Sequence, residues 1–116
     1  MDIDFTSVVD SSSVATFVIC VDHTVLAWNR ACENLTGIKA EDILGTKDSW
    51  RGFYDSNRPC LVDVLVDDDD NRMEDLYSAH GKSKVSKGLH AEQWFFNING
   101  KKRYLIFHAE PIYDDN

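Results

Sequence analysis

The chain has 116 residues, of which 43% are hydrophobic, 28% are charged and 11% are aromatic. This length predicts one compact domain with a core that folds without disulfides or bound metal, and the composition excludes an intrinsically disordered chain. The formal net charge of -8 disfavours nucleic acid and anionic membrane surfaces as partners. No apolar run approaches the roughly 18 residues of a membrane-spanning helix, so we expect no membrane contact from this segment.

The cysteines Cys20, Cys32 and Cys60 are odd in number and widely spaced. This pattern favours free, buried thiols in a reducing compartment over a disulfide framework. We therefore expect a cytoplasmic location and assign the three thiols to packing, where a free cysteine behaves as a small apolar residue.

The first predicted elements are a β-hairpin and a short helix. Apolar runs over residues 17–21 and 25–28 are close enough in sequence to pair as a hairpin. Asn29 suits the N-cap of the helix that follows, and Gly37 suits its C-terminal end. A further single helical turn, closed by its glycine, is predicted over residues 40–45.

Two apolar patterns predict helical structure in the middle of the chain. Trp50, Phe53 and Tyr54 share an i, i+3, i+4 face and need a core to pack against. Pro59 suits the first turn of another helix, whose apolar stripe ends at Asp67.

An acidic run then interrupts the apolar pattern. The four adjacent aspartates at residues 67–70 cannot be buried together, so they form a solvated corner or lie near the positive end of the next predicted helix, residues 72–80. A calcium loop would require glycine and glutamate where the chain has Arg72 and Ser78. A polar loop rich in lysine and glycine is predicted over residues 81–88.

The last third of the chain predicts a long β-hairpin. Its strands, residues 92–98 and 103–112, flank Asn99-Gly100, a strong turn signal because both residues tolerate positive φ. Residues 94–96 and 104–107 are apolar at consecutive positions, whereas a half-solvated strand alternates. Both faces of this sheet are therefore expected to be covered.

Different elements are predicted to pack on the two faces of the sheet formed by the long hairpin. The central helices cover one face. The other is covered either by the N-terminal residues, where Phe5, Val8 and Val9 have helical spacing, or by a second copy of the chain in a homodimer. The element order predicts an α+β fold with an antiparallel sheet and a cluster of short helices on one face.

Several residues carry a resemblance to a known family. The first half runs from a strand through Asp22 and a second strand to Asn29-Arg30-Ala31, a helix and Gly37. In the second half the matching positions are Glu92, Gly100, Tyr104, Pro111 and Asp114. In this order and spacing the chain resembles the PAS (sensory box) domain family, the small sensory modules of bacterial signalling proteins.

The resemblance implies a domain over residues 16–116, preceded by an N-terminal cap or linker over residues 1–15. The family's antiparallel sheet has five strands, with the last one lying between the first strand and the hairpin. Because this chain stops just after Asp114, we expect that strand to be missing, which would leave two unpaired edges.

Residues 45–54 and 58–63 resemble a subgroup of PAS domains found ahead of histidine kinase, diguanylate cyclase (GGDEF) or chemotaxis-transducer modules. The resemblance therefore implies a non-enzymatic sensory domain that regulates an output domain in the same chain, through two-component or cyclic-di-GMP signalling. A second hypothesis for the function is a ligand-free dimerisation or docking module. A third is a small thiol-dependent enzyme, for which the sequence contains no local catalytic motif.

PAS domains bind small ligands between their helices and the concave sheet face. The residues expected to line such a site, with Arg58 as an anchor for an anionic ligand, are Trp50, Phe53, Tyr54, Arg58, Cys60, Leu61, Leu65, Phe95 and Phe107. The same side chains also suit a filled core, because aromatic residues at helical spacing usually pack.

No cofactor is assigned from the sequence. Structural zinc normally requires two close pairs of ligands, and the cysteines and histidines form only one, Cys20 and His23. Some PAS sensors bind haem through a histidine near the hairpin. His80, on the last predicted helix, is the nearest candidate. We favour the interpretation that His80 is a surface histidine in the last turn of that helix, where the helix dipole stabilises a positive charge. The cysteine motif of flavin-binding PAS domains is absent, so flavin is not expected. His108, in the second strand of the predicted hairpin, is interpreted as a polar group within the sheet.

Overall fold

The computed structural model describes residues 12–67, 76–77, 79–82 and 88–111. Its elements are, in chain order, β1 (Phe17–Ile19), β2 (Val25–Trp28), α1 (Arg30–Thr36), α2 (Ala40–Ile43), a 3₁₀ turn (Ser49–Gly52), α3 (Leu61–Asp67), β3 (Ala79–Lys82), β4 (Leu89–Ile98) and β5 (Lys101–Ala109). They form two antiparallel sheets, β1-β2 and β3-β4-β5, with short helices between them in the chain. The predicted α+β class is confirmed.

The opening hairpin and helix follow the local sequence signals. Phe17 pairs with Trp28 across β1 and β2. The Asn29 side chain accepts a hydrogen bond of 2.8 Å from the backbone N–H of Cys32, as an N-cap does. Gly37 has φ +77, and its N–H donates to the Glu33 carbonyl at 2.8 Å. Both ends of α1 are therefore where the sequence predicted them.

The short turn after α1 also agrees with its prediction. Helix α2 is followed by Gly45, which has φ +82, a conformation that glycine adopts without strain. Backbone bonds of 3.0 Å from Gly45 N to Val25 O and of 2.8 Å from Val25 N to Thr46 O attach this turn to β2. The 3₁₀ turn then leads the chain towards α3.

The long hairpin confirms the prediction made from Asn99-Gly100. These residues have φ of 52° and 77°, as the turns that match strand twist require, and Trp94 pairs with Tyr104 across the strands. Strand β4 begins at Leu89, before the predicted start. Strand β5 begins at Lys101, before its predicted start, and ends at Ala109, so the prediction is wrong for residues 110 and 111, while residue 112 lies outside the described residues.

Strand β3 was not predicted. The expected helix over residues 72–80 is wrong at its end, because Ala79 and His80 lie in β3, where His80 pairs with Ala91 of β4. Residues 72–75 and 78 lie outside the described residues, as do residues 83–87 of the predicted loop. The first two residues of that loop are strand. Pairing with β4 supplies the backbone hydrogen bonds here and overrides the local helical pattern.

The described residues contain five strands, one more than the sequence predicted. The additional strand is β3, which lies at the edge of the second sheet beside β4. Within the described part of the chain, no backbone ladder joins β1 to β5. The number of strands predicted within these residues is therefore wrong, whereas the expected absence of the family's last strand, which would follow Asp114, concerns residues outside the described part of the chain.

Two hydrophobic clusters form the core. One lies between α3 and the long hairpin and comprises Leu61, Val64, Tyr77, Leu89, Ala91 and Ala109. The other lies between the first hairpin and helices α1 and α2 and comprises Ile19, Val25, Trp28, Cys32 and Ile43. Val62 packs against both clusters, so α3 joins the two halves of the molecule.

The two faces of the long hairpin differ in cover. Helix α3 contacts β4 and β5 on the inner face, as predicted. On the outer face, the side chains of Trp94, Phe96, Tyr104 and Ile106 are 52%, 74%, 46% and 66% exposed. Phe5, Val8 and Val9 lie outside the described residues, so both the N-terminal cap and the second copy stay predictions.

Candidate functional site

The segment before α3 lays aromatic side chains on the inner face of β4. The ring of Phe95 lies 6.1 Å from that of Phe53, 5.5 Å from that of Tyr54 and 5.8 Å from that of Phe107, measured between centroids. Phe95 is only 5% exposed. Four of the predicted pocket residues therefore form one aromatic cluster between the helical segment and the sheet.

A chain of hydroxyl groups borders this aromatic cluster. The Tyr54 hydroxyl donates to the Tyr77 hydroxyl at 3.3 Å, and Gln93 Nε2 donates to the Tyr54 hydroxyl at 3.1 Å. Burial raises the pKa of both tyrosines, so both hydroxyls are protonated at neutral pH. The cluster thus combines apolar rings with groups that donate and accept hydrogen bonds.

Arg58 places a positive charge over the same tyrosines. Its guanidinium carbon lies 4.0 Å from the Tyr54 ring centroid and 5.1 Å from that of Tyr77. Its Nη2 donates to the Leu76 carbonyl at 3.2 Å. Within the described residues no carboxylate pairs with this half-buried guanidinium. Arg58 therefore lies beside the aromatic cluster with a charge that a ligand anion can neutralise.

The remaining apolar candidates contribute to the core. Leu61 and Cys60 are 4% and 6% exposed, and Leu65 is partly buried against the cluster under the long hairpin. The Cys60 thiol lies 3.8 Å from Ser49 Oγ. Burial raises the pKa of Cys60 to about 12, so this thiol is protonated at neutral pH and is a poor nucleophile.

Trp50 contributes an unused hydrogen-bond donor. Its Nε1 is buried, and no acceptor among the described residues lies within hydrogen-bonding distance. A buried N–H without an acceptor costs about 1–3 kcal/mol. An acceptor on a bound molecule would recover this energy. Trp50 itself is not part of the aromatic cluster, because no ring contact in the described structure joins it to Phe53, Tyr54, Phe95 or Phe107.

Two residues of this region were not found from the sequence. Tyr77 lies in the stretch predicted to be a helix, residues 72–80, and Gln93 is one of four polar residues in β4, with His90, Glu92 and Asn97. Neither has a local signal, because Gln93 meets Tyr54 only across 39 positions of sequence. The contact with Tyr54 leaves no pattern, but alternation along the predicted strand, residues 92–98, puts Gln93 on the same face as Phe95 and could have identified it.

The element predicted for His80, the candidate haem ligand, is wrong. This residue was predicted on a helix before the hairpin, but its backbone lies in β3. Within the described residues, no group of three or more His, Cys, Asp or Glu side chains is arranged to bind a metal ion. His108 lies in β5, as predicted, and its ring is 6.0 Å from that of His90.

A separate polar cluster joins the first hairpin to α3. His23 Nδ1 lies 2.7 Å from Asp63 Oδ1, and His23 Nε2 lies 2.8 Å from Asp67 Oδ1. The hydrogen bond to Asp63 is the largest of the influences that raise the pKa of His23 above its ordinary value. No sequence pattern associates these residues, because His23 and Asp63 are 40 positions apart.

Two further findings bear on the identity of the chain. In the described residues, no helix has both the length and the apolar character to cross a membrane. Comparison with known proteins finds no family model and no curated protein that matches the chain.

Proposed function

We propose that this chain is a sensory domain of the PAS type that binds a small molecule between its helical segment and the inner face of the long hairpin. The observation that carries this proposal is the packing of Phe53 and Tyr54 on Phe95, with Arg58 beside them. Aromatic walls with a few convergent polar groups are the usual composition of small-molecule sites. The ligand class that fits is a small aromatic or apolar molecule with an anionic group.

The proposed mechanism is a shift between two arrangements of the helices and the sheet. A ligand that favours one arrangement changes the relative populations by its difference in affinity for the two. Tyr54 and Phe53 lie on the helical side of the site and Phe95 on the sheet side, so a ligand held among them contacts both. The signal passes to an output domain, a diguanylate cyclase or a histidine kinase, in the cytoplasm.

The test is a thermal-shift and native mass-spectrometry survey with a panel of aromatic carboxylates. A compound at 100 times its dissociation constant stabilises the folded state by about 2.7 kcal/mol, which corresponds to about 11 °C for a chain of this size. The Arg58→Gln variant is expected to lose this shift. Arg30→Gln, at the exposed start of α1, is the matched control and is expected to retain it.

Two outcomes contradict the ligand proposal. One is that no aromatic carboxylate stabilises the unmodified chain or remains bound in native mass spectra. The other is that Arg58→Gln and Arg30→Gln respond equally to a compound that does bind, because the anchoring role assigned to Arg58 would then be wrong.

A second candidate function, a dimerisation or docking module, is favoured by the outer face of the long hairpin. Four large apolar side chains, Trp94, Phe96, Tyr104 and Ile106, are exposed there together. Lys102 Nζ lies 4.7 Å from the Trp94 ring centroid and 5.2 Å from that of Phe96. Apolar patches of this kind commonly mark interaction sites. We expect a homodimer, measured by sedimentation equilibrium, and a monomer at all concentrations would contradict this candidate.

A further inference from the structure

The imidazole of His23 bridges two carboxylates on one side of α3. The residue lies in the β1–β2 turn, and its two ring nitrogens lie 2.7 Å and 2.8 Å from oxygens of Asp63 and Asp67. The two aspartates are separated by one helical turn, so they face the turn together. This cluster lies apart from the aromatic site, and nothing in the proposed sensory function requires it.

Both contacts can be hydrogen bonds only when His23 carries a positive charge. Ionised carboxylates accept hydrogen bonds but donate none, and a neutral imidazole has a single N–H. The imidazolium form has two N–H groups and so donates to both aspartates. After loss of one proton, one ring nitrogen presents a lone pair to a carboxylate, which is repulsive.

The two aspartates are not equivalent. Asp63 is held in place because its other oxygen, Oδ2, accepts a 2.8 Å bond from the backbone N–H of Cys60 at the start of α3. Its side chain is 14% exposed, whereas that of Asp67 is 45% exposed. Because the contact with Asp63 is the more buried of the two, we expect the proton on Nε2, which faces the more exposed Asp67, to be the one that leaves.

The electrostatics of α3 make Asp67 depend on this proton. Asp67 is the last residue of α3 that the structure describes, and the described helix has no basic residue in its last turn to offset this carboxylate. Asp63 and Asp67 also repel each other at i, i+4 spacing. The other charged groups of the adjoining segments are Asp22 in the turn, bound by the backbone N–H of Thr24, and Lys47, which interacts with Asp22.

We propose that His23, Asp63 and Asp67 form a pH-dependent clamp that attaches the last turn of α3 to the first hairpin when the imidazole is protonated and releases it when the proton is lost. The movable element is the end of α3 at Asp67. Val62 packs against both core clusters, Val64 belongs to the cluster under the long hairpin, and Val66 in the last described turn packs against the cluster of the first hairpin. Release at Asp67 therefore removes the polar attachment of this turn, while the apolar contacts keep the helix in place.

The direction of the pH dependence follows from the two hydrogen bonds. Contacts with Asp63 and Asp67 raise the pKa of folded His23 above its ordinary value of 6.5. The stabilisation by the clamp is therefore complete below pH 6.5 and is lost as the pH rises through the higher pKa of the folded state. Loss of one partly exposed ion pair corresponds to about a fivefold fall in the protection of the last turn of α3.

The experiment is an NMR titration of the histidine rings together with amide hydrogen exchange of α3 between pH 6 and pH 9. We expect the protection factors of Leu65 and Val66 to fall about fivefold over this range in the unmodified chain, and His23 to titrate above 6.5. In Asp67→Asn the His23 titration should move to lower pH. This variant changes only an exposed side chain and is expected to fold.

Two further variants complete the test. His23→Asn suits the left-handed backbone at this position, where φ is 74°, and should abolish the pH dependence of the protection. His108→Gln, which changes an exposed histidine in β5, is the matched control and should retain it. A His23 titration at or below 6.5, or equal pH dependence in His23→Asn and His108→Gln, overturns the proposal. Failure of the ligand survey has no bearing on it.

Discussion

Replacement of Asn29 by alanine tests how one buried side chain supports the first half of the fold. Asn29 is 0% exposed. Its Oδ1 accepts bonds of 2.8 Å from Cys32 N and 3.0 Å from Thr16 N, and its Nδ2 donates to Val14 O at 2.8 Å. The Asn29→Ala variant therefore removes the α1 cap and also the side-chain attachments of the segment that precedes β1.

The magnitude follows from these contacts. Loss of an N-cap costs about 0.5–2 kcal/mol, and each buried backbone group left without a partner adds about 1–3 kcal/mol. The Thr16 and Val14 groups are less buried than Cys32 N, so water compensates part of their loss. We expect a decrease of about 3 kcal/mol in the free energy of unfolding, or about 12 °C in Tm for a chain of this size.

The assay is urea denaturation followed by tryptophan fluorescence and far-UV circular dichroism. Asn34→Ala is the matched control, because Asn34 is exposed within α1 and alanine is a better helix former. If the free energies of unfolding of the two variants agree within about 0.5 kcal/mol, then the assignment of Asn29 as the residue that holds these segments together is refuted.

The other predictions concern the two faces of the long hairpin. Phe95→Ala removes the buried centre of the aromatic cluster and should destabilise the fold by about 3–5 kcal/mol in urea denaturation. Phe96→Ala, at a 74% exposed neighbour, should change stability by less than about 0.5 kcal/mol, and equal losses would contradict the assigned faces. Phe96→Glu should convert the proposed dimer to a monomer in sedimentation equilibrium, whereas Leu26→Glu, at an exposed position of β2, should not. Dimers in both variants would exclude the outer face as the interface.

The elements that form for local reasons could be predicted from the sequence alone. Asn29 and Gly37 delimit α1 because a cap and a left-handed residue act within one helical turn. Asn99-Gly100 defines the long hairpin for the same reason, since the two positive φ angles belong to adjacent residues. Four aromatic residues of the cluster, Phe53, Tyr54, Phe95 and Phe107, were among the predicted pocket residues, because large apolar side chains require a core.

Tertiary structure decided the features that depend on partners distant in the chain. Strand β3 exists because β4 supplies its hydrogen bonds, and this pairing overrides the helical pattern of the residues before it. Tyr77 and Gln93 join the site through Tyr54, and His23 meets Asp63 and Asp67 across at least 40 positions. Such contacts leave no local pattern in the sequence, because their energy comes from groups that only folding brings together.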